Sequence, residues 1–203
     1  MTISQDGVIE ALKEAGAILH GHFQLTSGRH SDTYVQCARV LEDPALTTEL
    51  AVAMARSVAG RDIDVVAAPA VGGIIIGFAV AQALGVKFIF SERADGVMTF
   101  RRSFTIEPGS RVLVVEDVVT TGGSVAEVID LVRAAGGEAV AVTSIIDRGG
   151  EKAFTTDFMP LLRLEVESME PDACPQCAAG APIDSPGSRR LGQFGLGIAA
   201  GQG

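Results

Sequence analysis

Residues 112–124 read VLVVEDVVTTGGS, and the fold follows from how that run divides. Val112, Leu113, Val114 and Val115 are consecutive aliphatic residues, the pattern of a strand buried on both faces in a parallel sheet. Glu116 and Asp117 stand where that strand should end. Val118 and Val119 lead into Thr120, Thr121, Gly122, Gly123 and Ser124, a small, hydroxyl-rich turn. Beyond it Val125, Val128, Ile129 and Val132 recur at helical spacing. The run therefore reads as a strand, an acidic tip and an anion cradle that opens a helix. A helix N-terminus presents unpaired N–H groups and the positive end of its dipole, so a phosphate fits there. Glycines let the backbone approach that phosphate and hydroxyls add donors. The run is not a Walker loop, because no Gly-Lys-Ser/Thr ending is present. It is not a dinucleotide fingerprint, because no G-x-G-x-x-G follows the strand.

Upstream, residues 65–69 form a short apolar strand that runs into PAVGGIIIG at 69–77, where Gly72 and Gly73 make a second strand-to-helix turn. By itself that turn reads as an ordinary tight turn. A helix through Gln82 and a strand over 86–90 follow, and downstream another strand at 139–146 ends in Asp147-Arg148. This alternation indicates an α/β chain with a mostly parallel central sheet and right-handed crossovers. Ligands bind such sheets at the carboxyl ends of the strands, where both glycine turns fall. Residues 91–111 are long and polar for a connection and carry Arg93, Arg101 and Arg102 against Glu92 and Asp95. They read either as a solvated hairpin or as a mobile lid whose arginines close on a polyanion. At the N-terminus the periodicity of Val8, Leu12, Ala15 and Leu19 predicts a helix over 4–19 capped by Ser4. A turn between strands at 23–25 and 33–36 follows, then a helix opened by Asp43-Pro44 with Leu46, Leu50, Ala53 and Met54 on its apolar face. Residues 154–167 read as a short helix plus strand, and 191–203 as a loose tail rich in Gly and Ala.

The chain has 203 residues and a net charge of −9, which argues against a nucleic-acid-binding surface. The first twenty residues carry Gln5, Asp6, Glu10, Lys13 and Glu14, which does not fit a signal peptide, and no apolar run reaches membrane length. Three cysteines cannot all pair within one chain, so a reducing cytoplasm is the simplest expectation. Cys174-Pro-Gln-Cys177 is half of a zinc pattern; His20 and His22 are available to complete it, but sequence alone does not bring them together. A redox pair would stand at a helix start after a strand, so structural or incidental thiols are expected. Cys37 reads as a small buried hydrophobe and His30 as a surface or hairpin residue.

FQLTSGRHSDTY at 23–34, PAVGGI at 69–74, ERADGVMTFRRSF at 92–104, VLVVEDVVTTGGS at 112–124 and IIDR at 145–148 resemble the orotate phosphoribosyltransferases, over nearly the whole length to about residue 190. The central motif alone resembles type I phosphoribosyltransferases of any kind. The resemblance implies a type I phosphoribosyltransferase fold: one domain over 1–190, with a small hood from about 1–40 and 150–190. It implies transfer of ribose 5-phosphate from phosphoribosyl diphosphate to orotate, giving orotidine 5′-monophosphate and diphosphate in pyrimidine biosynthesis, with Mg²⁺ held mostly through substrate. Catalytic roles fall to Glu116, Asp117, Arg93 and Arg102. Phosphoribosyl diphosphate contacts fall to those residues with Arg101, Val118, Val119, Thr120, Thr121, Gly122, Gly123, Ser124, Gly72 and Gly73, and orotate contacts to Thr120, Arg148 and Thr26. A homodimer with shared active sites is implied. Thr26 and Gly72 stand where some members of the family have lysines, and the 91–111 segment lacks a Lys and a His found in other branches. The alternatives are a purine or uracil phosphoribosyltransferase, or a non-catalytic regulator that binds phosphoribosyl diphosphate.

Overall fold

The computed structural model describes residues 3–25 and 27–186. In chain order the elements are α1 (Gln5–Glu14), β1 (Ile18–Gln24), β2 (His30–Val35), α2 (Ala38–Leu41), α3 (Pro44–Ser57), β3 (Val65–Pro69), α4 (Gly72–Leu84), β4 (Lys87–Ala94), β5 (Val97–Phe100), β6 (Arg111–Val119), α5 (Gly123–Ala134), β7 (Glu138–Asp147), β8 (Phe158–Arg163) and α6 (Pro175–Ala178). They group into two compact units. Among the described residues the larger comprises 3–18 with Val35–Glu165, and the smaller Leu19–Tyr34 with 166–186. Val8 and Leu12 of α1 and Leu162 of β8 pack in the larger unit's core.

The larger unit is built on a six-stranded sheet in the order β5-β4-β3-β6-β7-β8. All its pairings are parallel except β4 with β5. β6 lies between β3 and β7, and its residues alternate between the two faces as the pleat requires. Leu113 and Val115 join the core formed with α1, α3 and α4, while Val112 and Val114 join the core formed with α5. All four are completely buried. β6 is therefore covered on both sides, which is why it reads as an unbroken aliphatic run.

The helix starts follow local chemistry. The Ser4 hydroxyl accepts from Gly7 N–H at 3.1 Å, and Asp43 Oδ1 accepts from Ala45 and Leu46 N–H at 2.8 and 3.2 Å. α1 is shorter than its periodicity predicts. It stops at Glu14 because Gly16 turns left-handed (φ 62°), and Leu19 passes into β1. The strand predicted at 86–90 continues to Ala94 and folds back as β5, so much of the polar 91–111 segment is an ordered hairpin. Asp95 (φ 51°) and Gly96 (φ 83°) form its turn, and an Asp-Gly pair suits the left-handed positions of a two-residue hairpin loop.

The smaller unit holds the β1–β2 pair as a separate two-stranded sheet. Its strands are extended by bridges from Phe23 to Asp184 and from His30 to Met169. Thr26 and the 191–203 tail lie outside the described residues. Among the described residues no helix is long and apolar enough to cross a membrane.

Leu113→Ala should lower unfolding stability by about 2–5 kcal/mol, the range for truncating a fully buried leucine, measured by urea denaturation followed by circular dichroism.

Candidate active site

The two glycine turns stand on neighbouring parallel strands, α4 starting after β3 and α5 after β6. Whereas α1 and α3 are closed by their own side chains, neither α4 nor α5 has a side-chain cap or an acid in its first turn. Their first N–H groups are thus left for an external acceptor, and the dipole makes an anion the favoured one. The start of α5 is also sterically defined. Gly122 is left-handed (φ 73°), and a Cβ there would lie 2.3 Å from Gly150 O and 2.6 Å from the Ala153 Cβ. Only glycine fits. Thr120, Thr121 and Gly123 are exposed around it, Ser124 and Val118 are half-buried, and Val119 is buried.

The acid pair sits against the other turn. A Cβ on Gly72 would lie 2.7 Å from Asp117 Oδ1, and one on Gly73 3.1 Å from Glu116 Oε1. Both carboxylates therefore border the 72–73 turn, and a lysine at 72 would have to displace Asp117. Glu116 Oε1 accepts from Asp117 N–H at 3.1 Å, and Asp117 Oδ1 from Val118 N–H at 2.8 Å. Burial pushes the Glu116 carboxyl well above the usual carboxylate range, and the Asp117 charge adds to that. Cys37 is buried as its sequence context predicts. Desolvation first, then the Asp117 and Glu116 charges, hold its thiol well above the ordinary value, so it stays protonated.

Arg148 follows β7, and its backbone N–H donates to Val119 O at 2.8 Å. The loop that carries it is held by Asp147, a buried residue. Asp147 Oδ1 accepts from Gly149 N–H at 2.9 Å and Gly150 N–H at 3.0 Å. Because Gly150 O presses on Gly122, Asp147 ties the Arg148 loop to the α5 cradle. Sequence reading named Asp147 only as the neighbour of Arg148. The available signal was a charge closing an otherwise buried apolar strand.

The arginines of the hairpin region meet carboxylates other than the acid pair. Arg93 donates to both oxygens of Glu127 on α5 and to Gly96 O at 2.9 Å. Arg102 pairs with Glu92 at 3.2 Å and covers the Phe90 ring at 5.6 Å, while Arg101 lies 3.8 Å from Glu92. All three are exposed. Glu127 escaped sequence reading because an exposed acid on a helix has no distinguishing pattern.

Residues 38–158 match the phosphoribosyl transferase domain model. A protein of Chlorobium phaeobacteroides (strain BS1) described as orotate phosphoribosyltransferase is 50% identical over 190 residues, covering 93% of this chain and 98% of the relative. The solved orotate phosphoribosyltransferase of Aeropyrum pernix superposes with a TM-score of 0.67 at 28% identity, over 77% of this chain and 93% of that one. An adenine phosphoribosyltransferase of Thermoanaerobacter pseudethanolicus superposes with a TM-score of 0.64 at 20% identity, over 75% and 99% of the two chains, a likeness of fold alone.

The raised Glu116 carboxyl has a thermodynamic consequence. Between the ordinary glutamate range and the raised value the folded chain binds more protons than the unfolded one, so stability falls as pH rises through that window. Glu116→Gln should remove that loss. The melting temperature of the variant should exceed the parent's, with a gap that widens as pH rises above the ordinary glutamate range in differential scanning calorimetry.

Proposed function

This chain belongs to the orotate phosphoribosyltransferase family, and from that premise we propose that it transfers ribose 5-phosphate from phosphoribosyl diphosphate to orotate, releasing diphosphate. The observation that carries the reading is the acid pair, Glu116 buried and Asp117 half-buried, set between two uncapped helix starts on adjacent strands. In this reading the amides and hydroxyls of residues 120–124 hold the 5′-phosphate, and the 72–73 turn faces the diphosphate. As diphosphate leaves, positive charge develops on the ribose C1. Glu116 and Asp117 then oppose a cation instead of only each other, so their interaction with the sugar is stronger in the transition state than in the ground state. Arg93, Arg101 and Arg102 turn from their own carboxylates to the departing diphosphate. Arg148, with Thr120, receives orotate, whose planar carboxylate suits a guanidinium fork.

Asp117 and Glu116 offer hard oxygen donors of the kind Mg²⁺ takes, alongside oxygens of the substrate. When bound, the ion neutralises charge on the diphosphate leaving group. The proposed assembly is a homodimer. Val71, Ile75 and Phe78 are 79%, 53% and 59% exposed and recur at helical spacing at the start and along one face of α4, an apolar stripe suited to a second copy. A reducing, cytoplasmic setting agrees with three free thiols.

Base consumption, followed by ultraviolet absorbance with phosphoribosyl diphosphate and Mg²⁺, should occur with orotate and not with hypoxanthine, guanine or uracil. Binding of phosphoribosyl diphosphate without turnover of any base would replace the enzyme by a regulator. Asp117→Asn should lower kcat by about 10²–10³-fold with the circular dichroism spectrum unchanged. Arg148→Ala should raise the KM for orotate by about tenfold or more and leave that for phosphoribosyl diphosphate near the parent value. Phe78→Asp should shift the sedimentation coefficient from dimer to monomer.

A further inference from the structure

The smaller unit has almost no apolar interior. Among its described residues only Phe23 and Cys174 are buried hydrophobics, and its other buried side chains are His22, His30 and Ser31. Its centre is therefore polar, and four of its side chains converge there. His22 comes from β1, His30 from β2, and Cys174 and Cys177 from the segment that forms α6. Their ligand atoms all lie within 4.8 Å of one another. This corrects two sequence expectations: His30 is buried, and the pair beside the thiols is His22 with His30, whereas exposed His20 lies 3.4 Å from Thr33 Oγ1.

We propose that His22 Nε2, His30 Nδ1 and the thiolates of Cys174 and Cys177 bind one zinc ion, which joins the β1–β2 hairpin to the C-terminal segment. Zinc takes sulfur at about 2.3 Å and imidazole nitrogen at about 2.0–2.1 Å, so tetrahedral edges are about 3.3 Å between nitrogens and about 3.6 Å between nitrogen and sulfur. The observed edges are 3.2 Å for His22 Nε2 to His30 Nδ1, and 3.4 and 3.5 Å from His22 Nε2 to Cys174 and Cys177 Sγ. Cys177 Sγ to His30 Nδ1 is 3.2 Å. The tautomer is arranged for it as well. His22 Nδ1 donates to Ala181 O at 3.2 Å, which leaves the Nε2 lone pair directed into the cluster. That single lone pair faces three potential donors at once, and a neutral hydrogen-bond network satisfies only one of them well. A cation at the centre uses all four groups. Two soft thiolates with two imidazoles in this geometry select zinc over the hard cations. Binding releases the two thiol protons to solvent and changes no oxidation state. A small unit with so little apolar core is also the kind that needs a staple.

The full-length protein, purified without chelator and dialysed against metal-free buffer, should contain one zinc per chain by inductively coupled plasma mass spectrometry. Cobalt exchanged into the parent should give the intense ligand-field bands of four-coordinate Co²⁺ and a thiolate charge-transfer band. The Cys174→Ser/Cys177→Ser variant should lose at least about nine-tenths of the zinc. Should that variant fail to fold, the cobalt spectrum of the parent decides. A folded parent with less than about one-tenth equivalent of zinc and no thiolate–cobalt band overturns the proposal, as does a Cys174–Cys177 disulfide in protein kept under reductant.

Discussion

Glu116 and Asp117 are joined by a mutual repulsion that burial strengthens, and the surroundings are shaped to hold it. The four residues before them are completely buried on both faces of the sheet, which fixes where the strand presents the two carboxylates. The neighbouring turn carries glycine at 72 and 73, where a Cβ would crowd Asp117 and Glu116, so a side chain there would require the carboxylates to shift. Cys37 is kept neutral by burial first and then by the same charges. Strand, turn and thiol are thus different responses to one constraint, the placement of two acids at the end of a buried strand. An isolated pair so placed is a cost to stability, and a cationic partner is what relieves it.

The parts of this arrangement that were legible in sequence are those whose cause is local. The run 112–115 announces its burial on both faces, Asp43-Pro44 announces a helix start, and residues 120–124 announce a turn because their neighbours in sequence already describe a strand and a helix. Asp95-Gly96 is equally local and agrees with the hairpin reading of residues 91–111. Other features depend on chain segments far apart. Asp147 matters through Gly150 pressing on Gly122, and Arg93 through Glu127, 34 residues away. His30 looked like a surface residue because nothing between Arg29 and Ser31 reveals that Cys177 arrives 147 residues later.

The two units differ in how they exclude water. The larger one does so with aliphatic layers above and below a sheet, a solution that tolerates many hydrophobic exchanges. The smaller one relies on directional contacts. Arg29 grips Ser168 O at 2.6 Å and Ser168 Oγ at 2.9 Å, Ser31 donates to Glu167 O at 2.7 Å, and the histidine–cysteine cluster fills the middle. Such contacts specify one arrangement but offer little redundancy, so single substitutions there act more like broken joints than like small cavities.

The pairing of Arg93 with Glu127 bears on how quickly an anion is released. A guanidinium with no partner would greet an incoming diphosphate with its full attraction and hold the product just as firmly. Here the guanidinium already has a carboxylate, so recruitment to an anion is an exchange of one partner for another, and the reverse exchange is equally available when the product departs. The net preference is the small difference between two similar attractions. In the proposed role Arg93 then resembles a latch with two resting positions.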